Sequence, residues 1–221
     1  MHLNGVHTPA LAYPFTTVEL ILVRHALPIR RENSVGPADP ELSREGEAQA
    51  LLFAEYISSE HIDALYTSPL QRAQQTAAPL ATLKAMTPVV VDGVAEFDQH
   101  SNEYIPVEEL KAANDPRWVE MINGTWTTPD EAKEFTDRVI DSLEMIINQN
   151  RGGRVVVTCH GGVINEFLAH VLGLDNRQFF YPNYTSIHRI AASSNGHRSI
   201  LSINETSHLR NSGLPMGLFH G

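Results

Sequence analysis

Two arginines, two histidines and one glutamate follow short aliphatic runs. Arg24 and His25 close "ELILVRHA", Arg72 ends "YTSPLQR", Glu96 sits in "VAEFD", and His160 closes "VVVTCH" ahead of Gly161 and Gly162. Guanidinium groups present fixed forks of donors that match phosphate oxygens, and helix N-termini add partial positive charge. An imidazole in such a pocket can act as nucleophile toward phosphorus and split one hard displacement into two. The leaving alcohol oxygen then needs a proton, and Glu96 is the nearest candidate for the general acid. A carboxyl group beside a phosphate anion has its pKa raised, which keeps it protonated closer to neutral pH.

Taken singly, each residue has a plainer reading: a histidine at a strand end satisfied in the core, an arginine in a first helical turn solvated. That reading holds for nine of the eleven histidines. His25 and His160 differ because they share an address. In an open α/β sheet, ligands collect at the carboxyl ends of strands, where helix N-termini also point.

The elements that must deliver them are legible as alternating aliphatic runs and helix-period segments, the pattern of an α/β domain with a mostly parallel sheet. Strands are expected at Val18–Arg24, Ile62–Thr67, Pro88–Asp92, Arg154–Cys159, Ser186–Ala191 and Ser199–Asn204. In "LSREGEAQALLFAEYI", Ala48, Leu51, Leu52 and Tyr56 recur at helical spacing, with Ser43 as the N-cap. For "SPLQRAQQTAAPLATLK" the sequence suggests Ser68 as cap, Pro69 in the first turn and Gln71 closing a capping box. Phe135, Val139, Leu143 and Ile146 define one face of a long helix, and "GGVINEFLAHVLG" forms a further helix closed by Gly173.

Residues 97–130 break the alternation: polar, proline-punctuated, and containing Trp118 and Trp126. They read as a lid-like insertion in a single domain spanning 18–204, with 1–17 a leader arm and 205–221 a surface tail. Tyr104, Lys111, Arg117, Trp118 and Trp126 are candidates for a lid that covers substrate or for a small aromatic core within the insertion.

The chain has 221 residues, 42% of them hydrophobic, and a formal net charge of -10. It is long enough to bury a full core. The acidic balance argues against nucleic acid or an anionic membrane as partner, since either needs a basic face. No run approaches the roughly 18 apolar residues of a membrane span, and the first residues lack the basic start and apolar segment of a secretory signal. The single cysteine, Cys159, fits a reducing, cytoplasmic setting. Oligomeric state is not legible.

In this order the motifs resemble the histidine phosphatases, the superfamily that includes the cofactor-dependent phosphoglycerate mutases. "LVRHA" is similar to its RHG signature, "LSREGEAQA" to the segment that follows, "LYTSPLQRAQQTA" to the second arginine motif and "VVVTCHGGVI" to the second histidine motif. The similarity spans residues 18–191. It implies a three-layer αβα sandwich, no metal and no cofactor. It also implies His25 as the phosphate-accepting nucleophile, Arg24 and Arg72 as phosphoryl ligands, His160 as a further donor and Glu96 as proton donor. Ala26 stands where the signature has glycine, and Pro28 and Arg31 stand where many members have a hydroxyl residue and an asparagine. Arg30 or Arg31 is a candidate substituent for those contacts; two solvated loop arginines are the equal alternative.

The activity implied is hydrolysis of a small phosphorylated metabolite through a phosphohistidine. Alternatives are phosphoglycerate mutase-type transfer to a second hydroxyl, or a non-catalytic module that binds phosphorylated ligands. A thiol mechanism at Cys159 with His160 as base is disfavoured, because neighbours in a strand point to opposite faces. A metalloenzyme is disfavoured too: a cation would sit beside two arginines, and neither HExxH nor paired-cysteine spacing occurs.

Overall fold

The computed structural model describes residues 16–123 and 127–218. In chain order its elements are β1 (Thr17–Arg24), β2 (Arg31–Glu32), α1 (Arg44–Ile57), β3 (Ala64–Thr67), α2 (Gln71–Lys84), β4 (Val89–Val90) and β5 (Glu103–Tyr104). Then come α3 (Val107–Ala112), α4 (Pro116–Asn123), α5 (Pro129–Gln149), β6 (Arg154–Cys159), α6 (Gly161–Leu172), β7 (Ile187–Ser193) and β8 (Arg198–Glu205).

Six strands form one mixed sheet in the order β4-β3-β6-β1-β7-β8. The β4, β3, β6 and β1 strands run parallel, and β7 and β8 add an antiparallel edge. The central parallel strands β1, β3 and β6 are aliphatic runs, since a strand covered on both faces reads as continuous hydrophobics rather than alternation. Leu20, Leu22, Val155 and Val157 face a core built with α5 and α6; Ile21, Val23, Leu65 and Val156 face one built with α1 and α2. The result is helices on both faces of the sheet, the expected α/β sandwich. The β1 and β6 strands lie side by side in register, Arg24 opposite Cys159, so both histidine-bearing ends leave the same edge.

Two helices differ from their sequence readings. The buried stripe of α1 is Gly46, Gln49, Ala50, Phe53, Ala54 and Ile57, while Leu51 and Tyr56 are exposed and Leu52 is half-buried. The stripe carries a glycine and a glutamine because α1 presses on the backbone that follows β1; a methyl on Gly46 would lie 2.0 Å from the Leu27 carbonyl oxygen. The α2 helix starts two residues later than expected, with Leu70 as its cap residue, although the Ser68 hydroxyl oxygen does accept from the Leu70 amide at 3.3 Å. The Gln71 amide is instead held by the Asp39 carboxylate at 2.9 Å. Other expectations stand: Ser43 caps α1, Phe135, Val139, Leu143 and Ile146 are buried on α5, and Gly173 ends α6 in the left-handed region at φ 67°.

The C-terminal segment read as a surface tail packs onto the domain in its described part. Leu209 is buried, and the Tyr184 amide donates to the Met216 carbonyl at 2.9 Å. Among the described residues, no helix is long and apolar enough to cross a membrane.

Candidate active site

His25 leaves the sheet on one last ladder bond, its amide donating to the Cys159 carbonyl at 2.9 Å. The next two amides find side chains instead: Ala26 donates to Thr76 Oγ1 at 2.9 Å and Leu27 to Gln49 Oε1 at 2.8 Å. One residue from each of α1 and α2 thus fixes the turn that lets Arg24 and His25, neighbours in sequence, face the same cavity. His25 Nδ1 lies 2.8 Å from the Ala26 carbonyl oxygen, which can only accept, so Nδ1 carries the ring hydrogen and Nε2 keeps its lone pair. Burial, then the charges of Arg72 and Arg24, hold this imidazole well below its ordinary pKa. It is neutral at pH 7 and has a free nitrogen.

Three side chains surround it. Arg72 is 1% exposed; its Nη2 donates to Asp98 Oδ1 at 3.0 Å and its guanidinium lies 4.7 Å from the Tyr104 ring centroid. Arg24 donates from Nη1 to the Pro182 carbonyl at 2.6 Å and lies 4.2 Å from the Tyr184 centroid. His160 sits with its ring centroid 5.2 Å from that of His25, and its Nε2 is 2.7 Å from Ser68 Oγ. Burial and Arg72 lower its pKa well below the ordinary value.

What these three leave open matters more than what they bind. Among the described residues, five buried side-chain polar atoms have no hydrogen-bond partner, and four of them are Arg24 Nε, Arg72 Nε, Arg72 Nη1 and His160 Nδ1. A buried unsatisfied polar group costs about 1–3 kcal/mol. Such a concentration around one neutral imidazole is complementary to an anion with several oxygens, which would complete all of them at once.

Glu96 reaches the same cavity from between β4 and the insertion. Its Oε2 accepts from the Gly162 amide at 2.9 Å and its Oε1 from the Phe97 amide at 3.0 Å. A methyl on Gly162 would stand 2.3 Å from Oε1, so the second glycine of α6 is what lets the carboxyl approach the helix start. Burial, then Asp98, raise its pKa above the usual carboxylate range against the lowering effect of the two amides.

The cavity, about 440 Å³, is lined by Arg24, His25, Arg72, Glu96, Gly161 and Gly162 together with residues of the insertion, among them Tyr104 and Glu108. The structure therefore brings Arg24, His25, Arg72, Glu96 and His160 together. It does not bring Arg30 or Arg31. Arg30 is exposed and paired with Glu32 and Glu109; Arg31 is paired with Glu41, and neither lines the cavity. Instead β2, which carries Arg31, pairs with β5 in the register Arg31–Tyr104, and so holds Tyr104 over the site.

Of the other insertion candidates, Trp118 packs against Tyr181, outside the insertion, at 5.6 Å between ring centroids. Arg117 is held by Asp115 and Glu103, Lys111 does not line the cavity, and Trp126 lies outside the described residues. Cys159 is fully buried among the core residues of the α5 and α6 face, and burial pushes its thiol pKa up. That is the setting of an inert thiol.

Sequence reasoning missed Ser68, Asp98, Tyr184, Gln49 and Thr76. For Thr76 a signal existed: it follows Arg72 by four residues on one helix face. Ser68 accepts from the Leu70 amide as a cap would, and it also reaches His160, 92 residues away.

Comparison with known proteins adds an independent line. The family model of the histidine phosphatase superfamily (branch 1) matches residues 20–206. The chain is 33% identical over 205 residues to phosphoserine phosphatase 1 of Hydrogenobacter thermophilus, covering 87% of this chain and 94% of that one. It is 28% identical over 163 residues to a probable phosphoglycerate mutase of Yersinia enterocolitica, covering 71% of this chain and 76% of the relative. In fold it is similar to the crystal structure of a phosphoserine phosphatase from Entamoeba histolytica in complex with 3-phosphoglyceric acid. That match has TM-score 0.69 at 24% identity and covers 87% of this chain and 99% of the other.

Proposed function

The chain belongs to the histidine phosphatase superfamily, an enzyme family of phosphatase and mutase-type activity, and on that premise we propose that it hydrolyses phosphomonoesters through a phosphohistidine on His25. The observation that carries this reading is the set of four open buried donors around an imidazole whose Nδ1 is tied to the Ala26 carbonyl.

The phosphoryl oxygens take the open donors of Arg24, Arg72 and His160. With the Ser68 hydroxyl donating to Nε2 of His160, the hydrogen of that neutral ring is on Nδ1 and points to the anion. The Nε2 lone pair of His25 attacks phosphorus, the P–O bond to the alcohol breaks, and Glu96 gives its proton to the departing oxygen. In the second half a water loses its proton to the Glu96 carboxylate and attacks the phosphohistidine. The P–N bond breaks, inorganic phosphate leaves, and both His25 and Glu96 return to their starting states. No step needs a metal ion, since the two guanidiniums supply the charge that a cation would otherwise bring.

The substrate is a small phosphorylated metabolite, to judge from the cavity's size and donor set. The lone buried cysteine fits a reducing, cytoplasmic setting, which belongs to the same proposal. A mutase shares the first half-reaction and differs only in the acceptor, a substrate hydroxyl in place of water. The similarity to a probable phosphoglycerate mutase keeps that reading in view.

Incubation with 4-nitrophenyl phosphate, then with 3-phosphoglycerate while free phosphate and isomerised product are measured separately, tests the assignment. Phosphate release that persists in Cys159→Ser and disappears in His25→Ala is expected. Isomerisation without release would establish the mutase instead, and phosphate binding without turnover would favour the binding module.

A further inference from the structure

Beyond its phosphate donors the cavity has an unusual charge balance. Phe97, Ile105, Val107, Met121, Phe135 and Leu218 give it a largely apolar wall. Among the described residues, the charged cations that line it are Arg24 and Arg72, both already turned on the phosphate position. The remaining ionisable lining is acidic or phenolic: Asp98 bound to Arg72, and Glu108, whose Oε1 accepts from the Tyr184 hydroxyl at 2.7 Å.

Nearby cations are engaged elsewhere. Arg30 is paired with Glu32 and Glu109, Arg117 with Asp115 and Glu103, and Arg138 donates to the carbonyls of Asp92 and Gly93. Outside the described residues, segments 1–15, 124–126 and 219–221 contain neither lysine nor arginine. Among the described residues, no further lysine or arginine lines the cavity to meet a second anionic group of a ligand.

A phosphorylated acid such as phosphoserine or 3-phosphoglycerate brings a carboxylate as well as a phosphate. Here that carboxylate would lose water against apolar side chains and face Glu108 with only neutral polar side chains such as Ser101 and Gln178 to meet it, which is costly on both counts. An apolar alcohol would gain from the same wall at about 25 cal/mol per Å² covered. We infer that the site selects phosphomonoesters of uncharged, largely apolar alcohols and discriminates against phosphorylated carboxylic acids. The inference rests on the phosphatase reading above and specifies its substrate class.

The test compares kcat/KM for phosphate release from 2-phenylethyl phosphate, phosphoserine and 3-phosphoglycerate. The first two are esters of primary alcohols and the third of a primary alcohol as well, so leaving-group chemistry is matched. The apolar ester is expected to lead both acids by about a hundredfold; parity, or a lead for either acid, would overturn the inference.

Calorimetric binding of the same three compounds to His25→Ala reads the ranking without turnover. Tighter binding of 2-phenylethyl phosphate supports the inference, and tighter binding of either acid contradicts it. If the intact protein released phosphate from none of the three nor from 4-nitrophenyl phosphate, the phosphatase reading would fail, and the binding ranking alone would decide the substrate class. Glu108→Gln, which can still accept from Tyr184, is expected to narrow the gap between the apolar ester and 3-phosphoglycerate about fivefold. An unchanged gap would overturn the role given to Glu108's charge.

Discussion

Two pairs of arginines behave oppositely although the sequence presents them alike. Arg30 and Arg31 stand six residues from Arg24 and His25, where β2 begins, and each of the two pairs with a carboxylate at the surface. Arg24 and Arg72 are turned into the cavity, each restrained by one acceptor and one aromatic ring, with three donor nitrogens between them left open. The difference is not charge, which all four share. What marks a binding guanidinium is burial with unfilled donors, because water cannot complete them and a ligand can.

The comparison is sharpened first at the imidazole those donors surround. Removing it in His25→Ala should lower kcat for 4-nitrophenyl phosphate by about 10⁴-fold or more, with the protein still folded by circular dichroism. Next, Arg72→Lys keeps the charge and loses the fork; a fall in kcat/KM of about 10²–10³-fold is expected, against at most about twofold for the paired replacement of Arg30 and Arg31 by lysine. Equal losses in the two variants would break the distinction drawn here.

Glu96→Gln should cost about 10²-fold in kcat/KM on an alkyl ester and much less in kcat/KM on 4-nitrophenyl phosphate, whose leaving group needs little protonation. The sign of its pH dependence follows from the raised pKa. The carboxyl must hold its proton to act as acid, so wild-type kcat/KM on the alkyl ester falls as pH rises through that pKa, and the glutamine variant loses this limb. The smallest expected effect, about tenfold in kcat/KM, is for Ser68→Ala, which frees the His160 ring to change tautomer.

The chain order of strands and helices was legible because the aliphatic runs of β1, β3 and β6 are strands covered on both faces, and the 3.6-period segments of α1, α2, α5 and α6 cover those faces. Cap positions were less legible. Ser68 has the sequence context of an N-cap and its oxygen does accept from the Leu70 amide, but its hydroxyl also reaches His160 across the sheet, and nothing local records that second partner. The α1 face was misread for a related reason: hydrophobic spacing favours Leu51 and Tyr56, whereas packing on the Leu27 backbone demands Gly46 and Gln49. Within the site, residues at strand ends could be found because topology gathers them; Arg24, His25, Arg72, Glu96 and His160 do share one place. Asp98 and Tyr184 could not, since their roles arise from contacts across the fold. The openness of the arginine donors is a property of the folded chain alone.

The central claim is that the open donors exist to hold a phosphoryl group on His25. Rapid alkaline denaturing quench after mixing with a phosphomonoester, followed by peptide mapping by mass spectrometry without exposure to acid, reads it directly. An acid-labile, alkali-stable phosphoryl adduct on the peptide carrying His25, absent from His25→Ala and reduced in Arg72→Lys, is the expected result. Turnover at full rate with no adduct on His25, or an adduct mapped to Cys159, would contradict it.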